Sequence, residues 1–83
     1  MRFMEIYAMN EFDLYVGNNC RACEMLKSQM SKKDRDRCVV INADDPSNYD
    51  KVYSLGISMV PCLVANGMKI CGASAILDYL KTH

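Results

Sequence analysis

Charge imbalance is missing from this sequence. Lysine plus arginine equals aspartate plus glutamate, ten each, for a formal net charge of zero. Without a field of one sign, the chain carries no electrostatic footprint for nucleic acid or for an anionic membrane surface. Long apolar runs are missing as well; no stretch approaches the roughly 20 apolar residues that cross a bilayer. Residues Met1, Arg2, Phe3, Met4 and Glu5 lack the continuous apolar segment of a secretion signal, so a cytoplasmic setting is expected. Repeats, low-complexity tracts and Gly/Ser linkers are also lacking, which leaves one domain. At 83 residues that domain buries roughly 60–65 % of its unfolded surface, and 51 % apolar residues suffice for a core. Five cysteines, an odd number, argue against a closed disulfide framework and fit the reduced thiols of the cytosol.

The periodic segments define an order of elements. Phe12-Asp13-Leu14-Tyr15-Val16 reads as a strand and Gly17-Asn18-Asn19 as a turn. Residues 21–32 read as a helix with Ala22, Met25, Leu26 and Met30 on one face, ended by the solvated charged stretch Ser31 to Arg37. Cys38-Val39-Val40-Ile41-Asn42 is an unbroken apolar run of the kind expected of a strand covered on both faces. Asp45-Pro46 supplies a helix cap and a first-turn proline, and that helix carries Tyr49, Val52 and Tyr53 up to Gly56. Val60 to Ala65 is a strand, Asn66-Gly67 a hairpin turn and Met68 to Cys71 the returning strand. Ser74 is the expected cap of a last helix that buries Ile76, Leu77 and Leu80. This βαβαββα order predicts an α/β fold with a four-stranded mixed sheet and helices on both faces. Residues 1–11 stand apart as an N-terminal extension, an added strand or a tail, ahead of a domain over 12–83. His83 is expected to be disordered and takes no role.

The chemistry concentrates at Cys20-Arg21-Ala22-Cys23, where strand gives way to helix. A first cysteine at a helix N-terminus meets unpaired backbone N–H groups, which favour an anion such as a thiolate. On its own, a C-x-x-C is a zinc half-site, a copper site or a redox pair. No second ligand pair stands at the usual zinc spacing. Roughly forty residues on comes Val60-Pro61. A cis X–Pro bond there turns the chain sharply at a cost of about 0.5–1 kcal/mol over trans. It also leaves the Val60 backbone free to pair with an extended segment. An ordinary trans proline opening a strand is the alternative.

Together, C-x-x-C at a helix start, Gly56-Ile57-Ser58-Met59-Val60-Pro61, the hairpin and Gly72 before a last helix resemble the glutaredoxin/thioredoxin superfamily. The resemblance covers residues 12–82, and the length is closest to glutaredoxins and to the small glutaredoxin-like reductants of ribonucleotide reductase. It implies a minimal thioredoxin fold in a monomer and a thiol–disulfide oxidoreductase acting on protein disulfides. Cys20 is then the attacking thiolate and Cys23 the resolving thiol. Arg21, Ala22, Met59, Val60, Pro61, Gly72, Ala73 and Ser74 are the expected substrate-binding residues. No bound cofactor or metal is implied; glutathione or a thioredoxin reductase supplies the electrons.

Several positions depart from the family pattern. Arg21-Ala22 replaces the Pro-Tyr of glutaredoxins and the Gly-Pro of thioredoxins. Gly17 stands where many glutaredoxins have a lysine for glutathione, and Leu14 where thioredoxins keep a buried acid. Cys71-Gly72 replaces Gly-Gly, and Ala73-Ser74-Ala75 brings no acid after it. With these anchors missing, a protein disulfide is a better expected substrate than glutathione. Asp13, on the opposite face from Leu14, reads as a solvated strand start beside Glu11. Cys38, Cys62 and Cys71 read first as small core hydrophobes, with Cys62 and Cys71 flanking the site as the candidates for a regulatory thiol. A metal-binding or iron–sulfur redoxin and a non-catalytic interaction module are the competing functions.

Overall fold

The computed structural model describes residues 11–83, so the expected extension, Glu11 excepted, lies outside the described residues. The chain runs β1 (Phe12–Val16), α1 (Arg21–Gln29), α2 (Lys32–Asp36), β2 (Cys38–Asn42), a 3₁₀ turn (Pro46–Asn48), α3 (Tyr49–Leu55), β3 (Cys62–Ala65), β4 (Met68–Cys71) and α4 (Ala73–Thr82). The four strands form one mixed sheet in the order β2-β1-β3-β4. β1 pairs with β2 in parallel, from Phe12 opposite Cys38 to Val16 opposite Asn42. β1 and β3 are antiparallel with Leu14 opposite Leu63, and β3 and β4 are antiparallel with Cys62 opposite Cys71. No helix among the described residues is long and apolar enough to cross a membrane.

Strand alternation divides the buried side chains between the two sheet faces. Phe12, Leu14, Val16, Leu63 and Ala65 form one cluster with Cys23, Leu26 and Met30 at α1 and Ile76 and Leu80 of α4. Each large aliphatic chain so buried contributes roughly 1.5–3 kcal/mol. Tyr15 and Cys62, paired in register, are fully buried but outside that cluster, on the other face. Among the described residues the Tyr15 hydroxyl has no hydrogen-bond partner there.

Several expectations need correction. The helix expected over 21–32 stops at Gln29, and a second short helix, Lys32–Asp36, forms in the charged stretch expected to end it. Met30 turns extended (φ −76°, ψ 137°), and the Ser31 hydroxyl accepts the Asp34 N–H at 3.1 Å to start α2. The buried stripe of α1 is Cys23, Leu26 and Met30, and Met25 is 49 % exposed. Met25 lies about 100° around the helix from Leu26, too far to share its face. Among the described residues β2 lies at the sheet edge and is not covered on both faces: the successive Val39 and Val40, which point to opposite faces, are both exposed. Asp45 caps the 3₁₀ turn, accepting the Ser47 N–H at 3.0 Å, and α3 starts only at Tyr49. α3 buries none of its residues, Tyr49 and Tyr53 included. Gly72 (φ 99°), not Ser74, is the N-cap of α4.

Other readings hold. Gly56 ends α3 at φ 70°, and Asn66 (φ 51°) with Gly67 (φ 79°) makes the two-residue hairpin turn, both residues at positive φ. The far end of β1 is fastened by Arg37. Its guanidinium reaches Glu11 at 3.3 Å, donates to the His83 carbonyl at 2.7 Å and lies 5.0 Å from the Phe12 ring centre. His83, expected to be disordered, stacks on Tyr79 with ring centres 4.0 Å apart.

Candidate active site

The Gly17–Asn19 turn carries the chain from the end of β1 into α1, with Asn19 at φ 51°. Cys20 is the N-cap of α1, extended at φ −108° and ψ 102°, and its Sγ accepts the Cys23 N–H at 3.1 Å. A sulfur thus takes the place of the hydroxyl or carboxylate oxygen that usually satisfies a first-turn N–H. Cys20 and Cys23 are joined as a disulfide with Cα atoms 5.2 Å apart. The two sulfurs are unequal, for Cys23 is 1 % exposed within the core cluster while Cys20 is only half-buried. A reagent from solvent meets Cys20 first, and Cys23 is reached through it.

The helix N-terminus and the exposed Arg21 both place positive potential at the outer sulfur. Glu24, exposed in the same first turn, sets a carboxylate close by. Across from the pair, the Val60 carbonyl oxygen lies 3.9 Å from Cys20 Sγ. The Val60–Pro61 peptide is cis and Pro61 is buried, with its carbonyl accepting the Gly72 N–H at 2.9 Å. That bond ties the start of β3 to the cap of α4, so Cys20, Cys23, Val60, Pro61 and Gly72 form one connected unit. The remaining expected site residues are less tightly drawn in. Ala22 and Ala73 are half-buried, whereas Arg21, Met59 and Ser74 are exposed and make no side-chain hydrogen bond among the described residues. A shallow depression lined by Asn19, Cys20, Arg21 and Glu24 opens beside the disulfide. A second, lined by Asp44, Ile57, Ser58, Met59 and Val60, runs along the opposite wall.

Asp44 is a site residue that the sequence reading missed. Its Oδ2 accepts the Asn18 N–H at 2.6 Å, and its own N–H donates to Asn42 Oδ1 at 2.9 Å. Asn42 Nδ2 in turn donates to Asn18 Oδ1 at 3.1 Å, closing a ring of bonds around the turn before Cys20. Gly17 fits this close approach because it has no side chain. A Cβ there stands 3.1 Å from both Asp44 Oδ2 and a Val60 methyl, tighter than ordinary contact. The available hint was Asp44-Asp45-Pro46, two acids before a proline, of which only one is needed as a cap.

The other three cysteines are reduced. Burial pushes the Cys38 thiol up to about 11, against the lowering effect of Arg37. Burial first, then hydrogen bonding and charge at Cys71, push Cys62 up to about 12. Burial, with Asp13 and Cys62, also raises Tyr15. Among the described residues no three His, Cys, Asp or Glu side chains cluster as metal ligands. No protein-family model and no curated protein significantly matches this chain.

Proposed function

We propose that the chain is a thiol–disulfide oxidoreductase on a thioredoxin-type fold, with Cys20 as nucleophile and Cys23 as resolving thiol, acting on protein disulfides in a reducing compartment such as the cytoplasm. The observation that carries this reading is the half-buried Cys20 sulfur at the cap of α1, disulfide-bonded to a buried Cys23 and facing the Val60 carbonyl. In the reduced protein the Cys20 thiolate attacks one sulfur of a substrate disulfide. A new S–S bond forms to Cys20, the substrate bond breaks, and the other substrate sulfur leaves as a thiol on taking a proton. Cys23, a turn away along the same helix end, then attacks Cys20. The second substrate thiol departs, and the Cys20–Cys23 disulfide stands oxidised by the two electrons the substrate gained. Two molecules of glutathione in successive steps, or a flavoprotein reductase, return those electrons.

The local electrostatics serve the first step. The Cys23 N–H aimed at Cys20 Sγ and the N-terminus of α1 stabilise a thiolate more than a thiol, so the Cys20 pKa in the reduced protein is expected below the roughly 8.5 of free cysteine. The Val60 backbone and the exposed Met59 and Arg21 offer an extended substrate segment one strand edge, one apolar contact and one charge. Few charged anchors for glutathione stand at the expected positions, which favours a protein disulfide as substrate.

Replacing Cys23 with serine tests the assignment. The variant is expected to accumulate a mixed disulfide with a disulfide-bonded protein substrate, visible as a mass adduct on Cys20, and to lose dithiol turnover. Full turnover by Cys23→Ser, or an adduct on another cysteine, overturns the roles. Comparing glutathione with a flavoprotein reductase as the only donor then identifies the source of electrons.

A further inference from the structure

The β3–β4 hairpin holds a second pair of cysteines for which the proposed exchange reaction has no use. Cys62 and Cys71 stand directly opposite each other in the antiparallel register. The Gly72 N–H donates to the Pro61 carbonyl just beyond them, at 2.9 Å, which makes Cys62 and Cys71 a non-hydrogen-bonded pair. In such pairs the Cα atoms approach to about 4.5 Å and the side chains lie closer than in the alternate pairs. That separation falls within the roughly 4.4–6.8 Å that a disulfide spans. Both side chains are on the same sheet face. Cys62 is fully buried there beside its β1 neighbour Tyr15, and Cys71 is half-buried. Leu63, the next residue, belongs to the cluster containing Cys23, so this pair is on the face opposite the Cys20–Cys23 disulfide.

We propose that Cys62 and Cys71 are a second redox-active dithiol, which hydroperoxides convert to a cross-strand disulfide at the back of the sheet. The more accessible Cys71 reacts first. Its thiolate attacks the peroxide, an S–O bond forms, the O–O bond breaks, and hydroxide leaves to be protonated to water. Cys62 then attacks the Cys71 sulfenic acid, the S–S bond forms, and the hydroxyl leaves as water with the Cys62 proton. Two thiols and one hydrogen peroxide give one disulfide and two waters, the sulfurs losing the two electrons the peroxide gains. The strands are already in register, so closure asks for side-chain rotation rather than strand movement. Once formed, the bond ties β3 to β4 immediately behind Val60-Pro61.

Cleavage after lysine and arginine puts each of the five cysteines on its own peptide, 3–21, 22–27, 38–51, 52–69 and 70–81. The test uses the full chain carrying Cys20→Ser and Cys23→Ser, reduced, treated with hydrogen peroxide, alkylated in denaturant and mapped by mass. The expected result is a fall from three alkylatable thiols to one, Cys38, with peptides 52–69 and 70–81 joined. Three thiols surviving overturns the proposal, as does Cys71 found as sulfinic acid or bonded to a second chain while Cys62 stays free. The unsubstituted chain, mapped in the same way, guards against a misfolded variant, because its own 52–69 and 70–81 link is read separately from the Cys20–Cys23 link. Since the variant lacks the exchange pair, failure of the proposed function leaves this result intact.

Discussion

Two cysteine pairs occupy the two faces of one small sheet, and they differ in what their surroundings favour. Cys20 and Cys23 share a helix end where the Cys23 N–H points at the Cys20 sulfur and Cys20 is only half-buried. Cys62 and Cys71 face each other across a strand pair, with Cys62 sealed from water and its proton held by burial and by its partner. The helix end favours an anion at Cys20, whereas burial disfavours one at Cys62. The two pairs thus differ in the dipoles and water around each sulfur rather than in the residue type.

The contrast breaks most sharply on substitution. Cys20→Ser is expected to abolish reduction of a protein disulfide, and Cys71→Ser to leave its initial rate nearly unchanged; equal losses in a turnover assay erase the distinction. Labelling kinetics come next. Burial pushes the Cys62 thiol up to about 12, so at pH 8 it is far less ionised than an ordinary cysteine. Cys62 is thus expected to alkylate far more slowly than reduced Cys20, as read by peptide mass over time.

Stability against alkali sharpens the same point. Cys38 and Cys62 have folded pKa values raised above the ordinary 9.0, so above pH 9 the unfolded chain sheds protons that the folded one keeps. Unfolding then gains ground as pH rises, and Tm is expected to fall between about pH 9 and 11, where Cys38 also ionises. Oxidising Cys62 to Cys71 should remove the Cys62 share of that slope, a difference calorimetry can read. Smaller again is Gly17→Ala, which crowds Asp44 and Val60 and is expected to cost about 1–2 kcal/mol in denaturant unfolding. The least effect belongs to Lys32→Ala, which deletes an exposed i,i+4 pair with Asp36 for about 0.5 kcal/mol or less.

Much of this was legible where the chemistry is local. The strand Phe12–Val16, the Asn66-Gly67 turn, the end of α3 at Gly56 and the C-x-x-C at a helix start all depend on neighbours within a few residues. The errors arose where distant partners decide. Nothing in Cys38-Val39-Val40-Ile41-Asn42 tells what packs over its faces, and among the described residues Val39 and Val40 are both left exposed. Asp44 looks like one more loop acid until the fold lays Asn18 against it. Met25 and Met30 are chemically alike, and only the position of the sheet distinguishes the buried one. The Cys62–Cys71 pairing was available, because a two-residue turn at 66–67 places 62 opposite 71 by symmetry.

Arg37 has a practical consequence for handling the molecule. By gripping Glu11, Phe12 and the carbonyl of His83 together, it brings residues 11 and 83 to one place at the start of β1. Cys20 follows the other end of that strand, five residues or about 16 Å away. A fluorescent domain or an affinity tag attached after residue 83 hangs from the pole opposite the disulfide.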